Sequence, residues 1–136
     1  MLLHITRLDF CEAYHLQRAV VIPSNSSVVL TEPVPWQRLP LAGIASLETS
    51  EEVEKGVRRS SAKLSATLPE RSALPERPLA FLLTCANGFR HLLGTASAPF
   101  PLVVQELHLP GSAAETSAVS LVVSAQCPVL RVIKGL

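Results

Sequence analysis

Proline and glycine fall between short apolar runs along the whole chain, and this punctuation constrains the fold more than any other feature. Eleven prolines and six glycines leave little room for long helices but suit strands joined by tight turns. The runs Leu3 to Phe10, Tyr14 to Ile22 and Ser27 to Thr31 read as strands, with Pro23-Ser24-Asn25-Ser26 as a turn. In the second run Tyr14, Leu16, Arg18, Val20 and Ile22 would share one face. Ala62 to Leu68 alternates apolar and polar strictly, as a half-exposed strand does. Leu102 to Leu109, Val119 to Ala125 and Val129 to Ile133 complete the set, with a loop over Pro110 to Thr116.

The count predicts an all-β fold, an antiparallel sandwich or small barrel of about eight short strands with at most one short helix. At 136 residues the chain is sized for one core, hence a single domain over 1–136. Two stretches resist assignment. Trp36 to Ala45 is interrupted by Pro40 and Gly43. Glu48 to Lys55 reads either as one helical turn, capped by Thr49 or Ser50 and stopped by Gly56, or as a solvated loop. The tetrapeptide Leu-Pro-Glu-Arg occurs twice between Leu68 and Arg77, and its prolines and charges mark residues 69–78 as an exposed, mobile connector.

Asn87-Gly88 is the sharpest local signal. It is flanked by Leu79 to Ala86 and Phe89 to Thr95, and Asn-Gly is the preferred pair for a two-residue type I′ hairpin, in which both turn residues take positive φ. That turn would set Thr84 opposite His91 and Leu83 opposite Leu92. Phe81, Leu83, Cys85, Arg90 and Leu92 would then share one face, with Leu82, Thr84, Ala86, Phe89, His91 and Leu93 on the other. Two largely apolar faces place this hairpin inside a packed structure or under a partner.

Chemistry-bearing residues are sparse. Charged residues are 17% of the chain, 12 basic against 11 acidic, and the basic cluster Lys55, Arg58, Arg59 and Lys63 follows directly on Glu48, Glu51, Glu52 and Glu54. Neighbouring acids cancel most of that field, which argues against nucleic acid. No apolar run is long enough to span a membrane. Met1 to Arg7 has no basic n-region, long apolar stretch or small-residue cleavage site, so no secretory signal is read there. Cys11, Cys85 and Cys127 form no Cys-x-x-Cys motif and are odd in number, which fits reduced thiols in an intracellular setting.

His4, His15, His91 and His108 stand at no metal-ligand spacing, and Asp9 is the sole aspartate, so neither a metal site nor a carboxylate pair is indicated. Cys85 as a nucleophile would need His91 beside it, on the opposite face in the register above. Gly88, Gly94 and Gly111 are too far apart for a phosphate loop. The expectation is therefore no enzyme, no cofactor, no metal and no small-molecule substrate. An enzyme would require three or more of His4, His15, His91, Glu106 and Cys127 to converge.

The run Leu79 to Thr95 with the following Pro99 resembles small tail and head-tail proteins of bacteriophages and prophages. In those, an apolar strand enters an Asn-Gly turn and returns into Leu-Gly-Thr before a proline. The stretch Glu48 to Leu68, an acidic turn, then Lys55-Gly56, then an alternating strand, is similar to such proteins as well. The resemblance covers about a third of the chain and brings no catalytic residues. It implies a β-sandwich subunit that assembles into rings or tubes, cytoplasmic before assembly and part of a virion after it.

High apolar content, 48%, with few charges points independently to a contact surface. The expected role is a structural subunit forming homo-oligomers or joining other assembly subunits, with Phe81, Leu83, Phe89, Leu92 and Leu93 at the interface. The alternative is a small-ligand-binding β-barrel, with Phe81, Leu83 and Leu92 lining its cavity.

Overall fold

The computed structural model describes residues 2–108 and 118–134. Eleven strands carry the described chain: β1 (Leu2–Glu12), β2 (Val20–Ile22), β3 (Ser27–Val29), β4 (Gln37–Leu39), β5 (Ala45–Glu54), β6 (Val57–Leu68), β7 (Leu79–Cys85), β8 (Arg90–Leu93), β9 (Leu102–His108), β10 (Ala118–Ala125) and β11 (Leu130–Lys134). They belong to one sheet of order β2-β3-β11-β8-β7-β1-β5-β6-β10-β9, with β4 also on β1. Neighbours are antiparallel except β3 and β11, which run parallel. The fold is all-β, as the punctuation implies. The loop expected over Pro110 to Thr116 lies outside the described residues, as does Leu109, the last residue of the run that forms β9.

The long strand β1 organises the sheet. One edge pairs with β7 from Ile5 to Glu12, while the other pairs first with β5 (Leu2 to Ile5) and then with β4 (Leu8 to Phe10). The β1–β7 register slips between Ile5 and Arg7, a bulge at Thr6. A bulge adds one residue and so inverts the inward parity of the strand. Ile5 before it and Leu8 and Phe10 after it therefore reach the same core, and Cys11 faces the opposite side.

Two cores result, one on each side of the β1–β7–β8 segment. The larger gathers Ile5, Leu8 and Phe10 with Phe81, Leu83 and Leu93, and also Leu47, Leu64 and Leu121 from β5, β6 and β10. Strands that far apart in the sheet order share a core only if the sheet curls over on itself in sandwich fashion. The smaller holds Cys11, Leu16, Val28, Leu30, Ala80, Leu92 and Leu130, with Trp36 against it. Both faces of the central hairpin are thus covered by the chain's own side chains, which is what its two apolar faces require.

The hairpin turn differs from the expected one. Phe81 pairs with Leu93, Leu83 with His91 and Thr84 with Arg90. The Gly88 N–H donates to the Cys85 carbonyl at 2.9 Å, and the Cys85 N–H donates to the Phe89 carbonyl at 2.8 Å. Gly88 has φ +89° while Asn87 is not among the residues with positive φ. This is a three-residue loop, a type I turn followed by a glycine bulge, in place of the two-residue type I′. Asn87 is kept at negative φ and accepts the Phe89 N–H on its side-chain Oδ1 at 3.1 Å. One extra loop residue slips the register by one and turns β8 over. His91 and Leu93 thereby join the face of Phe81, Leu83 and Cys85, while Leu92 moves to the other.

A type I′ hairpin does occur, at Lys55-Gly56, where φ is +52° and +79°. It joins β5 to β6 in the register Glu54 to Val57, Glu52 to Arg59 and Glu48 to Lys63. The stretch Glu48 to Lys55 is therefore mostly strand and neither helical turn nor loop. Tyr14 to Ile22, expected as one strand, instead forms a 3-10 turn over Ala13–Leu16 before the short β2. Leu16 is buried there in the smaller core, a demand that a continuous edge strand would not meet. The unassigned Trp36 to Ala45 stretch supplies β4. Residues 69–78 contain no strand and are tied down at Ser72, whose N–H and carbonyl both bond the Gln105 side-chain amide.

Candidate interaction surface

The sheet leaves one element standing clear of it. β1 covers β5 only as far as Glu48, and β10 covers β6 only as far as Ala62. Beyond those limits, Ser50 to Ser61 pair only with one another among the described residues. They form a two-stranded arm in which every residue from Ser50 to Arg59 is exposed. Val53 and Val57 near its tip are 70% and 55% exposed. The Ser50 and Ser61 hydroxyls meet across it at 2.6 Å.

The arm's charge is divided by strand. Glu51, Glu52 and Glu54 lie on β5; Arg58 and Arg59 lie on β6, with Lys55 in the turn. Glu52 and Arg59 are register partners, yet among the described residues the ion pairs are Arg7–Asp9, Arg18–Glu32 and Arg77–Glu12. The arm's six charges take part in none of them and remain solvated. Sequence reading missed this element because a glutamate run before Lys-Gly suits a capped turn as well as a strand. The available signal was the mirrored spacing of Glu52 and Arg59, and of Glu48 and Lys63, about a two-residue turn.

Beneath the arm lies an open cleft of about 460 Å³. Glu51 and Ser60 line it from the arm, and His91, Val129 and Arg131 from the opposite wall. Arg131 holds its guanidinium over the Phe89 ring, 4.0 Å from the centroid. Partial burial pushes His91 below its ordinary value of 6.5, and the Arg131 charge adds to the effect. A second exposed feature is the edge strand β9, which has no outer partner strand among the described residues. Leu102 is 67% exposed there, and Val104 and Leu107 are exposed as well.

Of the residues expected at an interface, Phe81, Leu83, Leu92 and Leu93 are fully buried by the chain itself and offer no surface. Phe89 alone is accessible, at 48%. Phe81 and Leu83 also face away from Leu92, so the three do not line a common cavity. His15 and His91 lie in different clefts, and no group of three His, Cys, Asp or Glu side chains gathers among the described residues. The corrected register brings His91 onto the face of Cys85, but Cys85 is buried and burial raises its thiol. Cys11 is pushed up to about 12 by burial, with Glu12 contributing. Cys127 is raised by burial against an opposing hydrogen bond with the Gly94 backbone. All three are protonated near neutrality, the opposite of an activated nucleophile. No helix among the described residues is long and apolar enough to cross a membrane. The chain matches no family model, no curated protein and no solved structure.

Proposed function

We propose that the protein is a non-enzymatic structural subunit that works by self-assembly, of the kind found in phage virions or prophage-derived particles. The observation that carries this reading is the projecting arm. An isolated two-stranded ribbon is marginal in water, and this one exposes two valines at its tip with no core of its own. Docking against a neighbouring subunit supplies the missing contact. The long edge strand β9, with its exposed apolar residues, supports the same reading. Natural sheets usually blunt such edges with charge, proline or short length, as the three-residue β2 at the other edge does.

Light scattering on the eluting peak of a size-exclusion column tests the proposal. A mass of two or more chains at micromolar concentration is expected, and a mass of one chain throughout would overturn it. The ligand-binding barrel is the weaker reading, because the residues meant to line its cavity are divided between two filled cores.

A further inference from the structure

We infer that the arm joins copies of this chain head to tail, the β5 edge of one arm pairing with the β6 edge of the next. The inference rests on the assembly reading above and names the contact that carries it. The first ground is backbone supply. In a two-residue hairpin the residues flanking the turn bond each other, and alternate positions point their N–H and C=O groups away. With Glu54 and Val57 flanking the turn, the groups of Glu51 and Val53 point out from β5 and those of Arg58 and Ser60 from β6. Among the described residues no strand occupies either outer edge of the arm, and each can take a further strand.

The second ground is charge. Like charges opposite one another across strands are destabilising and opposite charges favourable. Two β5 edges together would face Glu51, Glu52 and Glu54 with their own copies, and two β6 edges would do the same with Arg58 and Arg59. Only β5 against β6 brings acid to base. The partner that fits each edge is therefore a second copy of the same arm, through its other edge. Such a contact is heterologous, so it propagates until it closes as a ring or continues as a filament. The alternation of β5 and β6 around the assembly keeps every neighbour antiparallel.

Sedimentation velocity on the whole chain and three variants tests this. Ser60→Pro removes an outward N–H while leaving the hairpin's own ladder and its charges in place. It is expected to sediment as a monomer where the unaltered chain is assembled, with the circular dichroism of a folded β domain and a thermal midpoint that does not depend on concentration. A triple variant, Glu51→Lys with Glu52→Lys and Glu54→Lys, has two basic edges; Arg58→Glu with Arg59→Glu has two acidic ones. Each alone is expected to be monomeric, and an equimolar mixture is expected to re-form an assembly of alternating chains. The mixture answers the question even if the proline variant misfolds, because re-assembly on mixing requires opposite edges to meet. Assembly of every variant on its own would overturn the arm contact and leave the assembly reading intact. Failure of the mixture to assemble would likewise overturn the arm contact. A monomeric unaltered chain would overturn both.

Discussion

Truncating the two faces of the β7–β8 hairpin separates a hairpin buried by its own chain from one waiting for a partner. Phe81 is fully buried in the larger core, where Phe10 and Leu93 stand beside it as register partners. Phe81→Ala removes a benzyl group from a site hemmed by strands on both edges, so relaxation is limited, and a loss of about 3–5 kcal/mol is expected. Leu92, fully buried in the smaller core among Cys11, Val28, Ala80 and Leu130, should lose about 2–4 kcal/mol as Leu92→Ala. Phe89→Ala is the control. Its ring is half exposed and its defined contact is the Arg131 guanidinium, worth about 0.5–1 kcal/mol. Unfolding entropy of about 2 cal/mol/K per residue converts a 4 kcal/mol loss into a fall in midpoint of roughly 14 °C for a chain this size. Urea unfolding followed by tryptophan fluorescence reads the same losses as shifts in midpoint at constant slope. Losses under about 1 kcal/mol at both Phe81 and Leu92, matching Phe89→Ala, would refute self-burial of the hairpin.

Other perturbations follow from individual side chains. His91 is held below 6.5 in the fold, so its contribution is complete above pH 6.5 and declines as pH falls toward the folded value; the acid loss in urea midpoint should be smaller in His91→Gln. Cys11 is raised to about 12 from an ordinary 9.0, so stability is full below pH 9 and declines from pH 9 toward 12 as the unfolded chain releases the proton. Cys11→Ala should flatten that alkaline limb. Arg7 pairs in bidentate fashion with the buried Asp9, Nε to Oδ2 at 3.1 Å and Nη2 to Oδ1 at 3.4 Å. Arg7→Ala leaves that carboxylate buried without its partner and should cost about 1–3 kcal/mol in chemical denaturation. Lys55 sits at φ +52°, where asparagine is better tolerated; Lys55→Asn should slow amide exchange across the arm by about two- to fivefold, corresponding to about 0.5–1 kcal/mol.

Much of the fold was legible because strand periodicity and turn residues agree along most of the chain. The alternation from Ala62 to Leu68 emerges as a strand with Ala62, Leu64, Ala66 and Leu68 buried. The two apolar faces of Leu79 to Leu93 emerge as a hairpin between two cores. What was hidden depends on counts of one residue. Asn-Gly serves a two-residue turn or the end of a three-residue one, and the choice reverses β8. The bulge at Thr6 inverts the parity of β1 without any glycine or proline to mark it. Strands of three residues, such as β4, are too short to show a period. The arm was concealed for a different reason: an exposed ribbon has no apolar stripe, and its sole pattern is charge. In sequence its residues read as a cancelled electrostatic field, and their division between two strands depends on the register of the hairpin.

The most direct test of an assembling subunit is the mass of the intact chain across a concentration series from high nanomolar to high micromolar at about 0.1 M and about 1 M salt, where the Debye length falls from roughly 10 to 3 Å. Species larger than one chain, growing with concentration and weakening at the higher salt, are expected. A single chain mass at every concentration and both salts would contradict self-assembly.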